Sequence, residues 1–178
     1  CGLIGKNAAV EVDGSAYWMS ENGFFRYTGR LESLPCLVED FVFTDKGDNL
    51  GINYNSGEQV VAGLNHLYEE LMWFYPKAGS TENDRVVTYN YTENTWTTGT
   101  LDRTSWHDAT LYNNPYASKF NTSGLPTFPT VQGITNVNGA STYYAHEIGN
   151  NEVDFNGSKT AIPAFIQSGD FNLGDGEV

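Results

Sequence analysis

The chain has 178 residues, 39% hydrophobic and only 17% charged, enough for one domain with a substantial core. Nine Lys and Arg stand against 22 Asp and Glu, a net charge of −13. That balance argues against gripping a nucleic acid by its phosphates, since such a surface repels a polyanion. It leaves three uses for the acids: solubility, cation binding, or a surface along which DNA slides without sticking.

Abundant Gly, Tyr, Phe and Asn suit turn-rich β structure better than a helical bundle. No apolar run approaches membrane-spanning length. The two cysteines, Cys1 and Cys36, cannot build a disulfide framework or a zinc site unaided; they read as two free thiols, with a single Cys1–Cys36 bridge as the alternative.

In chain order, "AAVEV", "AYWMS" and "FFRYTG" alternate around Asp13-Gly14 and Asn22-Gly23, which predicts a three-stranded meander over residues 8–29. In "RLESLPCLVEDFVFTD" the sequence predicts a helical turn or loop at 36–40, with strand-like Phe41-Val42-Phe43 before a crossover. "KGDNLGINYNSGE" is a polar, Gly-rich loop. "QVVAGLNHLYEELMWFYP" reads as two strands around "HLYEE"; a helix over Val60–Trp73 competes, but Gly63, Asn65 and the closing "MWFYP" oppose it.

"KAGSTENDR" connects to "VVTYNYTENTWTTGTL", an alternating hairpin around the three-residue turn "TEN". Residues 52–101 therefore form a four-stranded antiparallel unit of the size of one propeller blade. "RTSWHDATLY" continues the cadence, residues 113–140 read as an extended insertion or loop, and "TYYAHEIG" and "TAIPAFIQSGDFNLGD" supply further strands. The expected fold is all-β: antiparallel four-stranded blades forming part of one β-propeller over residues 1–178. At about 40–50 residues per blade the chain supplies three to four blades. Strand-like ends at "CGLIGKNAAVEV" and "AIPAFIQSGDFNLGDGEV" read as a fragment of a longer polypeptide.

No motif points to catalysis, a metal or a cofactor. "EVDFNG" imitates the start of a calcium loop, but position 12 holds Pro163 where a bidentate Glu is required. His66, His107 and His146 lack metal-ligand spacing, and the neighbours in His107-Asp108 and His146-Glu147 point to opposite faces of a strand. Phosphate-loop, dinucleotide, H-E-x-x-H and G-x-S-x-G signatures do not occur. Sequons at Asn90, Asn121 and Asn156 arise readily by chance in a chain this rich in Asn, Ser and Thr. Trp18, Trp73, Trp96 and Trp106 all fall in expected strands, where packing between blades outweighs sugar stacking.

Tyr89 and Trp96 across a polar turn resemble half of a kelch blade, whose Gly-Gly half is replaced by "LYEELMWF". A wider resemblance is carried by "YWMSENGFFRYTGRLESLPCLVEDFVF", "EELMWFYPKAGSTENDRVVTYNYTENTWTTGTLDRTSW" and "FIQSGDFNLGDG". These segments, within residues 10–112 and 143–176, resemble β-propeller tail proteins of short-tailed bacteriophages, of the nozzle or DNA-stabilisation type. The middle segment is the most specific, with "WFYP", "STENDR", "YNY" and G-x-L-x-R-T-x-W ending at Trp106. The resemblance implies a virion structural protein with no catalytic residues. It would partner copies of itself in a ring and other tail proteins (adaptor, fibre or spike), and form a conduit through which DNA passes without adhering. A carbohydrate- or receptor-binding tail module is the alternative, and a glycan hydrolase is opposed by the missing Asp-box pattern.

Overall fold

The computed structural model describes residues 1–45, 50–110, 113–121, 140–147, 149, 151–153 and 156–162. Among them the fold is all-β, built from antiparallel sheets with one short α-helix. The chain divides into two compact units, Cys1–His146 and Glu147–Val178.

The first unit holds three consecutive meanders. Sheet 1 runs β1 (Ala9–Val12), β2 (Ser15–Ser20), β3 (Gly23–Tyr27) and β4 (Leu31–Leu34), each strand paired with the next. Asp13 and Gly14 take φ of 51° and 75° between the paired Val12 and Ser15, the two-residue turn that their small or polar side chains predict. The second turn differs: Ser20 pairs with Gly23 around Glu21-Asn22, so Gly23 opens β3 instead of closing the turn. β4 is a strand beyond the three expected. Gly29, at φ 93°, lets Thr28–Arg30 reverse the chain, and Leu31 then pairs with Tyr27.

Phe41-Val42-Phe43 is not strand but the end of α1 (Glu39–Phe43). Its single turn buries Val42 completely and sets Phe43 against Phe24, with ring centroids 5.5 Å apart. Three apolar residues in a row can serve one helical turn as well as one strand, and here the contact with sheet 1 decides.

Sheet 2 comprises β5 (Val61–Asn65), β6 (Glu70–Tyr75), β7 (Arg85–Asn90) and β8 (Thr95–Gly99), the four-stranded unit expected within residues 52–101. A short 3₁₀ turn, His66–Tyr68, joins β5 to β6, where the sequence placed a turn. The β7–β8 loop is four residues, Tyr91–Asn94, rather than "TEN" alone, because Asn90 pairs with Thr95. Asn90 Oδ1 accepts from the backbone N–H of Thr92 and of Glu93, while its Nδ2 donates to the Tyr68 carbonyl.

Sheet 3 comprises β9 (Ser105–His107), β10 (Tyr116–Asn121) and β11 (Ala140–Ala145), in the order β11-β10-β9. β10 corrects the expectation of an insertion or loop over 113–140: the alternation in "YASKFN" puts Ala117 inward, opposite Trp106 and Tyr144. Residues 122–139 of that stretch lie outside the described residues.

The first strands of the meanders lie side by side. Asn7, just before β1, forms a parallel bridge with Val61 and accepts the Ala62 N–H at 2.8 Å; β9 lies against the same β5. Sheet 2 is thereby covered on both faces. Leu71, Trp73, Tyr75, Val87 and Tyr89 join the core that includes Val12, Tyr17, Met19, Phe24 and Leu34 of sheet 1. Met72, Phe74 and Val86 form a second core with Leu101 and Trp106. β6 reads as an unbroken apolar run because alternate residues feed two different cores.

In the second unit β12 (Asn151–Val153) pairs with β13 (Lys159–Ala161), with Gly157 at φ 82° in the connection. Asp154 and Phe155 of the calcium-like "EVDFNG", Pro163, and the whole of "FIQSGDFNLGDG" lie outside the described residues, as do Lys46–Asn49 of the first unit.

Candidate functional site

Gly63 sits on the face of β5 that looks toward sheet 3. A Cβ there would stand 2.7 Å from Trp106 Cδ1, so the absent side chain is what admits the indole. Trp106 stacks on Phe74 at 5.7 Å and donates from Nε1 to the Leu64 carbonyl at 2.8 Å. The outer side of the same indole meets the His146 ring at 4.7 Å.

Around this pair sits a polar cluster that sequence spacing did not reveal. Arg103 is 5% exposed. Its Nε donates to His146 Nε2 at 3.2 Å, and its Nη1 donates to the Asp102 carbonyl and to Asp102 Oδ1. The guanidinium carbon lies 3.8 Å from the centre of the Tyr144 ring, a cation–π contact. Lys119 of β10 completes the ion pair on the other Asp102 oxygen. Asn83 Nδ2 donates to the carbonyls of Arg103 and Gln59, tying the segment before β9 to the 3₁₀ turn Tyr54–Gln59 that leads into β5. Burial first, and the nearby Arg103 charge second, push His146 down to about 4, so the ring is neutral at pH 7. The partners lie 43 residues apart and meet only once β9 and β11 flank β10.

The other histidines are placed apart from this one in role. His66 is a turn residue whose backbone N–H donates to the Asp108 carboxylate, and His107 contacts Thr110 through Nε2 at 3.4 Å. Among the described residues no group of three or more His, Cys, Asp or Glu is arranged to hold a metal ion. Both cysteines are free; burial pushes the Cys36 thiol up to about 11. Trp73 is fully buried and donates to the Ala8 carbonyl at 3.1 Å, and Trp96 packs on Phe24 and Tyr89 at 4.7 and 4.5 Å. Trp18 instead stacks on Phe25 at 5.8 Å, on the face of sheet 1 that points away from sheet 2.

Among the described residues, two sheet faces of the first unit are left uncovered. On sheet 1 the outward register carries Trp18, Phe25, Tyr27 and Leu31, the last two about half exposed. On sheet 3 it carries Tyr116, Phe120 and Tyr143, interleaved with Ser105, Ser118 and Ser141. Tyr143 is 80% exposed, and Ser105 and Ser118 share a hydrogen bond at 2.7 Å. No helix among the described residues is long and apolar enough to cross a membrane. Comparison with known proteins finds no matching family model and no matching curated sequence.

Proposed function

We propose that this chain is a section of a β-propeller that serves as a structural component of a short-tailed bacteriophage tail, forming part of the DNA-ejection conduit or its seal. The observation that carries the propeller reading is the run of three successive antiparallel meanders whose first strands, β1, β5 and β9, adjoin in chain order. That is how blades gather around an axis, each meander leading outward from its first strand. The open faces of sheets 1 and 3 fit the same reading: sheet 2 is covered on both sides, while each neighbour is covered on one. Further blades of a ring would cover the free sides.

The conduit reading rests on charge and on the resemblance. A net charge of −13 with few cations gives a lumen wall from which DNA is repelled, so that the polyanion passes without adhering. The acids must then face the channel.

Electron microscopy of the purified parent particle tests this directly. A ring of copies around an axial channel, acids inward, is the expected image. A free monomer, or a ring whose channel is lined by neutral or basic residues, overturns the conduit. The second reading, a glycan- or receptor-binding module, is favoured by the aromatic and hydroxyl face of sheet 3. It would be supported if that face stands open to solvent in the assembled particle rather than beneath another blade.

A further inference from the structure

We infer that the contact between Arg103 and His146 is an acid-released latch that holds sheet 3 in place. The geometry makes the contact one-sided. Arg103 can only donate, so His146 Nε2 must accept and the ring proton must sit on Nδ1. A proton added at Nε2 turns the acceptor into a donor and sets an imidazolium against a guanidinium 3.2 Å away.

The described groups around the ring are already engaged elsewhere. Arg103 is the charge that acts on the ring, on top of burial. The Asp102 carboxylate is engaged by Arg103 and Lys119, and the indole of Trp106 covers one side of the imidazole. Pro115 offers its carbonyl to the His146 backbone N–H rather than to the ring. Tyr144 lies under Arg103, and Glu147, the next residue, is exposed.

The consequence belongs to sheet 3 alone, because the same ring abuts Trp106, which seats β9 on Gly63 and Phe74. The folded His146 titrates near 4, below the ordinary 6.5 of a released chain. The latch is therefore at full strength above pH 6.5 and weakens as pH falls toward 4, since the released form takes up the proton first. With partial solvent access, opening of sheet 3 should grow on the order of tenfold between pH 8 and pH 5.

Hydrogen exchange, corrected for the intrinsic pH dependence of the amides, tests the latch on the whole chain. Amides of β10 and β11 should lose protection on the order of tenfold by pH 5 while those of β6 and β7 keep theirs. His146→Gln retains an acceptor that cannot titrate, and should hold sheet 3 closed at both pH values. An NMR titration of the unmodified chain provides a second arm: the His146 ring should titrate well below the ordinary 6.5. Equal acid loosening in H146Q, uniform loss of protection across both sheets, or a His146 ring that titrates at the ordinary 6.5 would each overturn the latch.

Discussion

Glu69 occupies the left-handed region at φ 57° and ψ 39°, where the chain leaves the His66–Tyr68 turn and enters β6. Its carbonyl accepts the Tyr91 N–H at 3.0 Å, so the conformation links the two hairpin ends of sheet 2. A side chain with a Cβ is strained there, by about 1–2 kcal/mol. Glu69→Gly relieves the strain but gives the unfolded chain more freedom, costing about 0.5–1 kcal/mol. The expected net gain is about 0.5 kcal/mol in urea unfolding; a loss of stability would show that the carboxylate, not the backbone, matters at this corner. Asn94 takes the same region at φ 57°, but its Oδ1 accepts the Tyr89 hydroxyl at 2.7 Å and so justifies the residue. At this scale the sequence was informative where the backbone demand was local. Asp13-Gly14 announced its turn, whereas Glu69 carried no sign of its φ, because that value is imposed by the pairing of β5 with β6.

At the scale of elements, the joint between sheets 2 and 3 turns on a missing methyl group. Gly63→Ala would place a Cβ against three atoms of the Trp106 side chain, Cδ1, Cγ and Cβ, at 2.7, 2.8 and 3.0 Å, so the indole must move. Overpacking of this kind costs about 1–3 kcal/mol. The measurement is unfolding stability together with tryptophan emission, which should shift as Trp106 leaves Phe74; unchanged emission with full stability would refute the close seat. The strands of sheet 2 were readable because turn residues bound them along residues 61–99, with period-two alternation marking β7 and the buried apolar run marking β6. β4 and β10 were not. β4, "LESL", has one buried residue in four and is a strand because Tyr27 and Phe24 pair with its ends. β10 lies in a region rich in Asn, Pro and Thr, and its strand character comes from having β9 on one side and β11 on the other. The Arg103 cluster was illegible for the same reason: its members come from separate strands, and no spacing encodes their meeting.

For the whole molecule, the surplus of acids acts on the folded state as self-repulsion. Raising sodium chloride from 0.01 to 0.15 M shortens the Debye length from about 30 to about 8 Å and should raise the melting temperature by a few degrees. A fall in the melting temperature would mean that local ion pairs such as Arg26–Glu32 and Lys119–Asp102 outweigh the net charge. The first two meanders were readable from the sequence, since they follow from turn spacing, but the adjacency of β1, β5 and β9 was not, since it depends on faces that touch only after folding. The two-sided burial of β6 has an evolutionary consequence. Deleting or inserting one residue in Glu70–Tyr75 would exchange the side chains of its two cores, sending Trp73 toward the seat of Phe74 and the reverse. Lineages descending from this chain should keep the length of β6 fixed while the connections around it lengthen and shorten freely, so β6 is the ruler against which insertions elsewhere can be aligned.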